Sequence, residues 1–256
     1  MIKKIFYKYT FYKFLEKRFF YLTFIFDKID RDFLKFYSRY KYKALSKSYL
    51  YEDLIVLFLF GLKKKKLYFE AGAGCGKNHS NTYLLEKKYG WSGILVEPIK
   101  NQFILLRKNR KNSKNVFYNC AIGSKNKKQV MFYENTTDSQ LSSQIIYNKR
   151  HIVKKTYVVQ KNINTIFKKK SFSLKQKNID FFSLDINGTD LDVLEIFNFK
   201  KFSPKVFCVE VNSDIRIIKK LDKIFLKNSY KVIFEKTFSS TYSGNRWYIH
   251  DSVNIY

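Results

Sequence analysis

Apolar residues recur three and four apart through the first 48 positions, at Ile2, Ile5, Tyr9, Tyr12, Leu15, Phe19, Leu22, Phe26, Ile29, Phe33, Phe36 and Tyr40. That spacing predicts one or two amphipathic helices. Lysines and arginines interrupt every window, so no stretch approaches the length of a membrane span, and no uncharged h-region with a small-residue cleavage site marks a signal peptide. From position 49 the pattern changes. A helix is expected over 51–60, and short apolar runs then alternate with helical segments. The runs predict strands at 67–69, 94–96, 116–122, 128–133, 156–160, 179–184 and 206–209. Helices are expected over 78–89, 101–110, 163–170, from about 189 to 197, and over 214–227. Segments 230–238 and 245–251 read as a closing hairpin around 239–244. The chain therefore divides into a helical extension, 1–48, and an α/β domain, 49–256.

The chemistry concentrates in one stretch of that domain, 67–97. An apolar run ends in Glu70, glycines follow at Gly72, Gly74 and Gly76, a helix opens, and a second apolar run ends in Glu97. Strand, glycine turn, helix, strand and acid form the pattern of a nucleoside-binding βαβ unit. A carboxylate at Glu97 suits the vicinal hydroxyls of a ribose. The third glycine comes one residue early for a dinucleotide turn. A P-loop fails at both ends, with Ala71 for its first glycine and Asn78 for its hydroxyl. Glu70 beside the turn would repel a pyrophosphate and favour a cationic ligand. S-adenosylmethionine is such a ligand, and E-x-G-x-G-x-G is the form its enzymes use.

Four carboxylates, Glu70, Glu97, Asp185 and Glu210, stand at predicted strand ends, which converge on one crevice in an open parallel sheet. Asp185, ending the strand expected beside the first, is the candidate base for an acceptor hydroxyl, helped by Asp190 or Glu210. It is also a candidate cofactor contact. Asn119, Cys120 and Ala121 end the strand that would lie beside the adenine. Glu52 and Asp53 suit the first turn of their helix as dipole-complementing acids. Asp185-Ile186-Asn187-Gly188-Thr189-Asp190 faintly matches a calcium loop but lacks its remaining ligands, so no metal is expected.

The same stretch resembles the FkbM-type methyltransferases. The residues that carry the resemblance are Phe69 to Gly74, Ser80-Asn81-Thr82, Leu85-Glu86, Gly90-Trp91, Gly93 to Pro98 and Asn109-Arg110. It extends back to Tyr51–Leu54 and forward through Ser183 to Gly188 and Val209-Glu210. The resemblance implies a class I methyltransferase, Rossmann-like, with a mainly parallel seven-stranded sheet, helices on both faces and a C-terminal antiparallel hairpin. It implies methyl transfer from S-adenosylmethionine to a hydroxyl of a sugar, glycan or other small metabolite. The cofactor set is then Glu70, Gly72, Ala73, Gly74, Gly76, Ser80, Asn81, Glu97, Pro98, Asn119, Cys120, Ala121 and Asp185. The chain departs from the family where Asn187 and Asp190 replace the usual glutamates.

Composition adjusts this picture in two places. Fifty Lys and Arg against 21 Asp and Glu give a net charge of +29, alongside an abundance of Lys, Asn, Phe, Tyr and Ile, the residues of A/T-rich codons. Codon drift on solvated faces accounts for part of that excess. The charge keeps a second reading open, ribose methylation of RNA. Glu210 counts against it, because the lysine-containing tetrad of such enzymes typically places a lysine there. A non-catalytic module of the same fold is the third reading. The basic stripe of 1–48 suits either packing on the domain or peripheral contact with anionic lipid. Three cysteines, far apart and odd in number, argue against a disulfide framework and fit a reducing, cytoplasmic compartment.

Overall fold

A computed structural model describes residues 27–112, 114–135, 154–167, 179–211, 214–235 and 244–254. Helix α1 (Lys28–Arg39) and a 3-10 turn (Lys43–Leu45) precede α2 (Glu52–Leu59) and β1 (Leu67–Ala71). Then come α3 (Tyr83–Tyr89), β2 (Ser92–Val96), α4 (Lys100–Asn109), β3 (Val116–Tyr118), β4 (Ala121–Gly123), β5 (Lys127–Glu134), β6 (Lys154–Asn162) and α5 (Ile163–Ile166). The chain continues through β7 (Phe181–Leu184), α6 (Asp190–Glu195), β8 (Val206–Val211), α7 (Ile215–Lys227), β9 (Tyr230–Ile233) and β10 (Gly244–His250).

Seven strands form one sheet in the order β3-β2-β1-β7-β8-β10-β9. The first five are parallel and β10 runs antiparallel to both β8 and β9. After β3 the chain crosses to the other side of β1, so the order reverses between β1 and β7, where open α/β sheets hold ligands. Period-two alternation sorts the side chains onto two faces. Tyr68, Phe181, Cys208 and Trp247 face the side where α1, α2 and α3 pack; Phe69, Phe182, Phe207 and Tyr248 face the side of α5, α6 and α7. A second sheet, β4-β6-β5, is inserted between β3 and β7.

Several expected elements change. The run 116–122 is two strands in two sheets, because Asn119 turns out of line and its Nδ2 donates to the carbonyls of Glu97 and Pro98, 2.9 Å each. The helix expected from 78 begins at Tyr83, because 80–82 are held elsewhere, as described below, and neither Asn78 nor Ser80 caps it. The helix expected over 163–170 is helical only through Ile166, with Phe167 as its cap; 168–170 lie outside the described residues. On α4, Leu106 is buried and Leu105 is exposed.

Of the basic extension, 1–26 lies outside the described residues. Its C-terminal part, α1, packs on the domain: the Phe33 ring meets Phe58 at 5.7 Å and Phe234 at 5.8 Å. No helix among the described residues is long and apolar enough to cross a membrane.

Candidate active site

The glycine turn is shaped by what stands behind each glycine. Gly72 has φ +78° and is open to the crevice; a Cβ there would lie 1.8 Å from the Asp185 carbonyl oxygen. A Cβ on Gly76, φ +72°, would lie 2.4 Å from Leu106 Cδ1 and 2.9 Å from Arg110 Cγ, whereas one on Gly74 would meet nothing within 4 Å. Close backbone approach, then, is built in at Gly72 and Gly76, and Gly74 needs glycine only for its φ of +51°.

Glu70 sits under this turn. Its carboxylate accepts from Ser80 Oγ (3.0 and 3.1 Å), the Asn81 N–H (2.8 Å) and Thr82 Oγ1 (2.5 Å), and Arg110 lies 3.8 Å away. Burial raises its pKa against these stabilising contacts. Glu70 is therefore enclosed and shapes the turn, which corrects the expectation that its carboxylate meets the ligand cation. Ser80 is likewise occupied with Glu70, while Asn81 reaches across to Ser183 Oγ at 3.0 Å on β7.

Asn109 and Arg110 carry part of the family resemblance, but nothing in the sequence assigns them a role. The structure makes them the clamp of the turn. Asn109 Nδ2 donates to the Cys75 carbonyl at 2.9 Å. Arg110, fully buried, donates to the Gly76 carbonyl, Ser80 Oγ, Tyr68 Oη, Thr82 Oγ1 and Glu86, the last at 2.6 Å. Burial would raise the Glu86 pKa, but Arg110 and its other donors bring it below the usual range. A charge so far from solvent is stable only when paired and fully hydrogen-bonded, as here.

Glu97, just past β2, is 5% exposed and accepts from the Gly74 N–H and the Ile99 N–H, both at 2.8 Å. Burial pushes its pKa up to about 7. Each oxygen keeps a second lone pair, so this carboxylate can also accept from a diol. Pro98 is half-buried beside it. Of the residues expected at the adenine, Ala121 packs with Ile99 and Phe132 under the small sheet. Cys120 instead turns its thiol into the apolar core with Tyr118 and Ile122, and burial raises its pKa to about 12. This corrects its place in the expected pocket wall.

At the carboxyl ends of β7 and β8, the Asp185 side chain lies beside Glu210. Burial, then Glu210, Asp190 and Glu52, raise the Asp185 pKa well above the usual carboxylate range. A carboxylate beside it repels a second negative charge, which favours the protonated form of Asp185. Asp190 plays a different part from the one expected. Its oxygens accept from the Ile186 N–H (3.2 Å) and the Gly188 N–H (3.1 Å), fixing the turn that follows Asp185, and burial raises its pKa to about 8. Glu52, expected to complement a helix dipole and placed near the site by the family resemblance, is buried and accepts from Asn245 Nδ2 at 2.6 Å and the Leu50 N–H at 2.7 Å. Asn245 stands opposite Glu210 in the β8–β10 ladder, so α2 is tied to the same crevice. Asp53 faces away, accepting from Ser46 and Ser48. No cluster of metal-ligating side chains is present among the described residues.

The sheet order with its switch point, the glycine turn packed against the Asp185 backbone, and an acidic crevice define a class I methyltransferase fold. Residues 70–238 match the methyltransferase FkbM domain. The chain belongs to that family, and membership carries the cofactor that the resemblance implied, S-adenosylmethionine. No curated protein matches the chain. Solved structures similar to it include the O-methyltransferase TomG from Streptomyces achromogenes in complex with SAM, at 11% identity and TM-score 0.46, covering 88% of this chain and 90% of that one. A methyltransferase from Pyrococcus furiosus is 15% identical with TM-score 0.39, covering 75% and 79%. A SAM-dependent methyltransferase from Geobacter sulfurreducens in complex with S-adenosyl-L-homocysteine is 8% identical with TM-score 0.38, covering 81% and 72%. Likenesses this distant carry no further argument; the fold rests on the strand order and the family match.

Proposed function

We propose that the crevice methylates a hydroxyl oxygen of a sugar, glycan or other small hydroxyl-rich acceptor. The observation that carries this reading is the juxtaposition of the Asp185 and Glu210 carboxyl groups at the ends of two paired strands, with the Asp185 backbone packed against Gly72 of the glycine turn. The residues present fit S-adenosylmethionine: the Gly72 backbone is exposed at the turn, Glu97 offers acceptors for a ribose, and the acidic floor suits a cation. When bound, this cofactor supplies an electrophilic methyl group on a sulfonium.

The chain's own residues do the rest. A positive charge near Asp185 favours its ionised form, which leaves a carboxylate free to accept from the acceptor hydroxyl. That carboxylate orients the oxygen and takes its proton as the new bond forms. Asp190 holds the 186–188 turn, and Glu52 with Asn245 holds the Glu210 side of the crevice. Positioning is the larger part of the work in an in-line displacement.

The test uses labelled cofactor with glycan, lipid and RNA fractions, followed by Asp185→Asn and Glu210→Gln. Label entering the glycan or small-molecule fraction, with each variant losing on the order of 100-fold in transfer while keeping cofactor affinity within severalfold, supports the reading. Label in RNA alone, or full transfer by both variants, refutes it.

A further inference from the structure

The inserted sheet has an outer face that the methyl-transfer reading does not use. Its inner face packs Phe132, Val130 and Val158 on Ile99 and Ala121. The outer face of β6 carries Lys155, Tyr157, Val159 and Lys161 in a row, since alternate residues share a face. Tyr157 is 64% exposed, and Val159 and its neighbour Met131, directly paired with Tyr157 on β5, are also exposed. The row ends in a cleft of about 440 Å³ whose lining includes Lys127, Lys128, Lys161 and Tyr118, and none of the lining residues is acidic. Lys161 Nζ lies 5.4 Å from the Tyr118 ring. Among the described residues, Lys127, Lys128, Lys155 and Lys161 make no ion pair. The whole segment 124–178 holds thirteen Lys and Arg against two acids, far more biased than the 50 to 21 of the full chain.

We infer that this face is a docking track for single-stranded nucleic acid, formed by the juxtaposition of the Lys127–Lys128–Lys161 cleft with the exposed Lys155–Tyr157–Val159 row. Codon drift explains scattered surface lysines, but not an exposed ring held between unpaired lysines along one strand. Six residues of strand span roughly 20 Å, long enough for a few nucleotides. Lysines at both ends meet the phosphate backbone, and Tyr157 with Met131 offers a flat platform on which a base can stack. A small phosphate compound would need only the cleft and leaves the row unexplained. An anionic membrane is less well matched, because these apolar side chains lie in a flat ladder between lysines rather than on one wide apolar face.

The experiment measures fluorescence anisotropy of the full chain with a labelled single-stranded RNA of about a dozen nucleotides. K155E/K161E should weaken binding at least about tenfold, and Y157A about fivefold or more. A charge-matched pair on exposed positions of α7, K219E/K220E, should change it less than about threefold. Melting temperature and cofactor affinity report that each variant is folded, and the gentler K155A/K161A must shift binding in the same direction. No RNA binding, or equal loss in the α7 pair, overturns the proposal. So does binding transferred to phosphatidylserine vesicles and lost there in the same variants. Displacement by inorganic pyrophosphate with no dependence on RNA length also overturns it, in favour of a small-anion pocket.

Discussion

The sharpest prediction separates two glycines of one motif. Gly72→Ala would place a Cβ 1.8 Å from the Asp185 carbonyl oxygen, an atom fixed by the β1–β7 ladder, where Asp185 N donates to the Ala71 carbonyl at 3.3 Å. Relief needs more than an ångström of separation between the ends of these two strands. That overpacking costs roughly 1 to 3 kcal/mol, and the left-handed backbone of an L-residue at φ +78° adds about 1 to 2 kcal/mol. Gly74→Ala meets nothing within 4 Å and bears only the backbone cost at φ +51°, about 1 to 2 kcal/mol. Scanning calorimetry should therefore show a drop of roughly 2 to 8 °C for Gly74→Ala and about twice that for Gly72→Ala. Methyl transfer separates them further, because only the first substitution displaces Asp185. Equal loss in both variants, or Gly72→Ala with unchanged melting and transfer, would refute the reasoning.

Other consequences can be checked alongside it. Arg110→Met should lower stability by about 3 to 5 kcal/mol, since Glu70 and Glu86 lose their shared cation; urea denaturation measures it, and a loss below 1 kcal/mol would mean the clamp is dispensable. Glu97→Ala should weaken S-adenosylmethionine binding by about 2 kcal/mol or more by calorimetry, because it removes a diol acceptor and the brace on Gly74. Asp53, Glu97 and Asp190 have pKa values raised to about 7, 7 and 8, so the folded chain holds more protons than the unfolded one from the usual carboxylate range up to those values. Stability of the ligand-free protein should consequently fall as pH rises from about 4 to about 8. Asp53→Asn, which keeps the acceptor for Ser46 and Ser48, should flatten part of that slope, and a melting temperature that climbs between pH 5 and 8.5 would contradict it.

How much of this was legible in the chain depends on whether the cause is local. Strand, turn and helix from Leu67 to Glu97 could be read directly, because alternation, glycines at a left-handed turn and an acid after the second strand are properties of neighbouring residues. The closing antiparallel pair and the acids near strand ends were readable for the same reason. What those acids do was not. Glu70 lies in the motif expected to face a ligand, yet Ser80, Asn81, Thr82 and Arg110 enclose it, and Arg110 comes from a helix 40 residues on. Asp190 looked like a second base until its oxygens met the Ile186 and Gly188 amides. Glu52 looked like a helix-start acid, and only the fold brings it to Asn245, 193 residues away. The break at Asn119 was equally hidden, since a side chain reaching the Glu97 and Pro98 carbonyls ends one strand and sends the next into a different sheet. Local sequence determined which elements form and where carboxylates gather. Tertiary packing decided which of those carboxylates are enclosed by donors and which, at Asp185 beside Glu210, is desolvated against another acid and held toward its protonated form, because desolvation and charge proximity depend on residues distant in the chain.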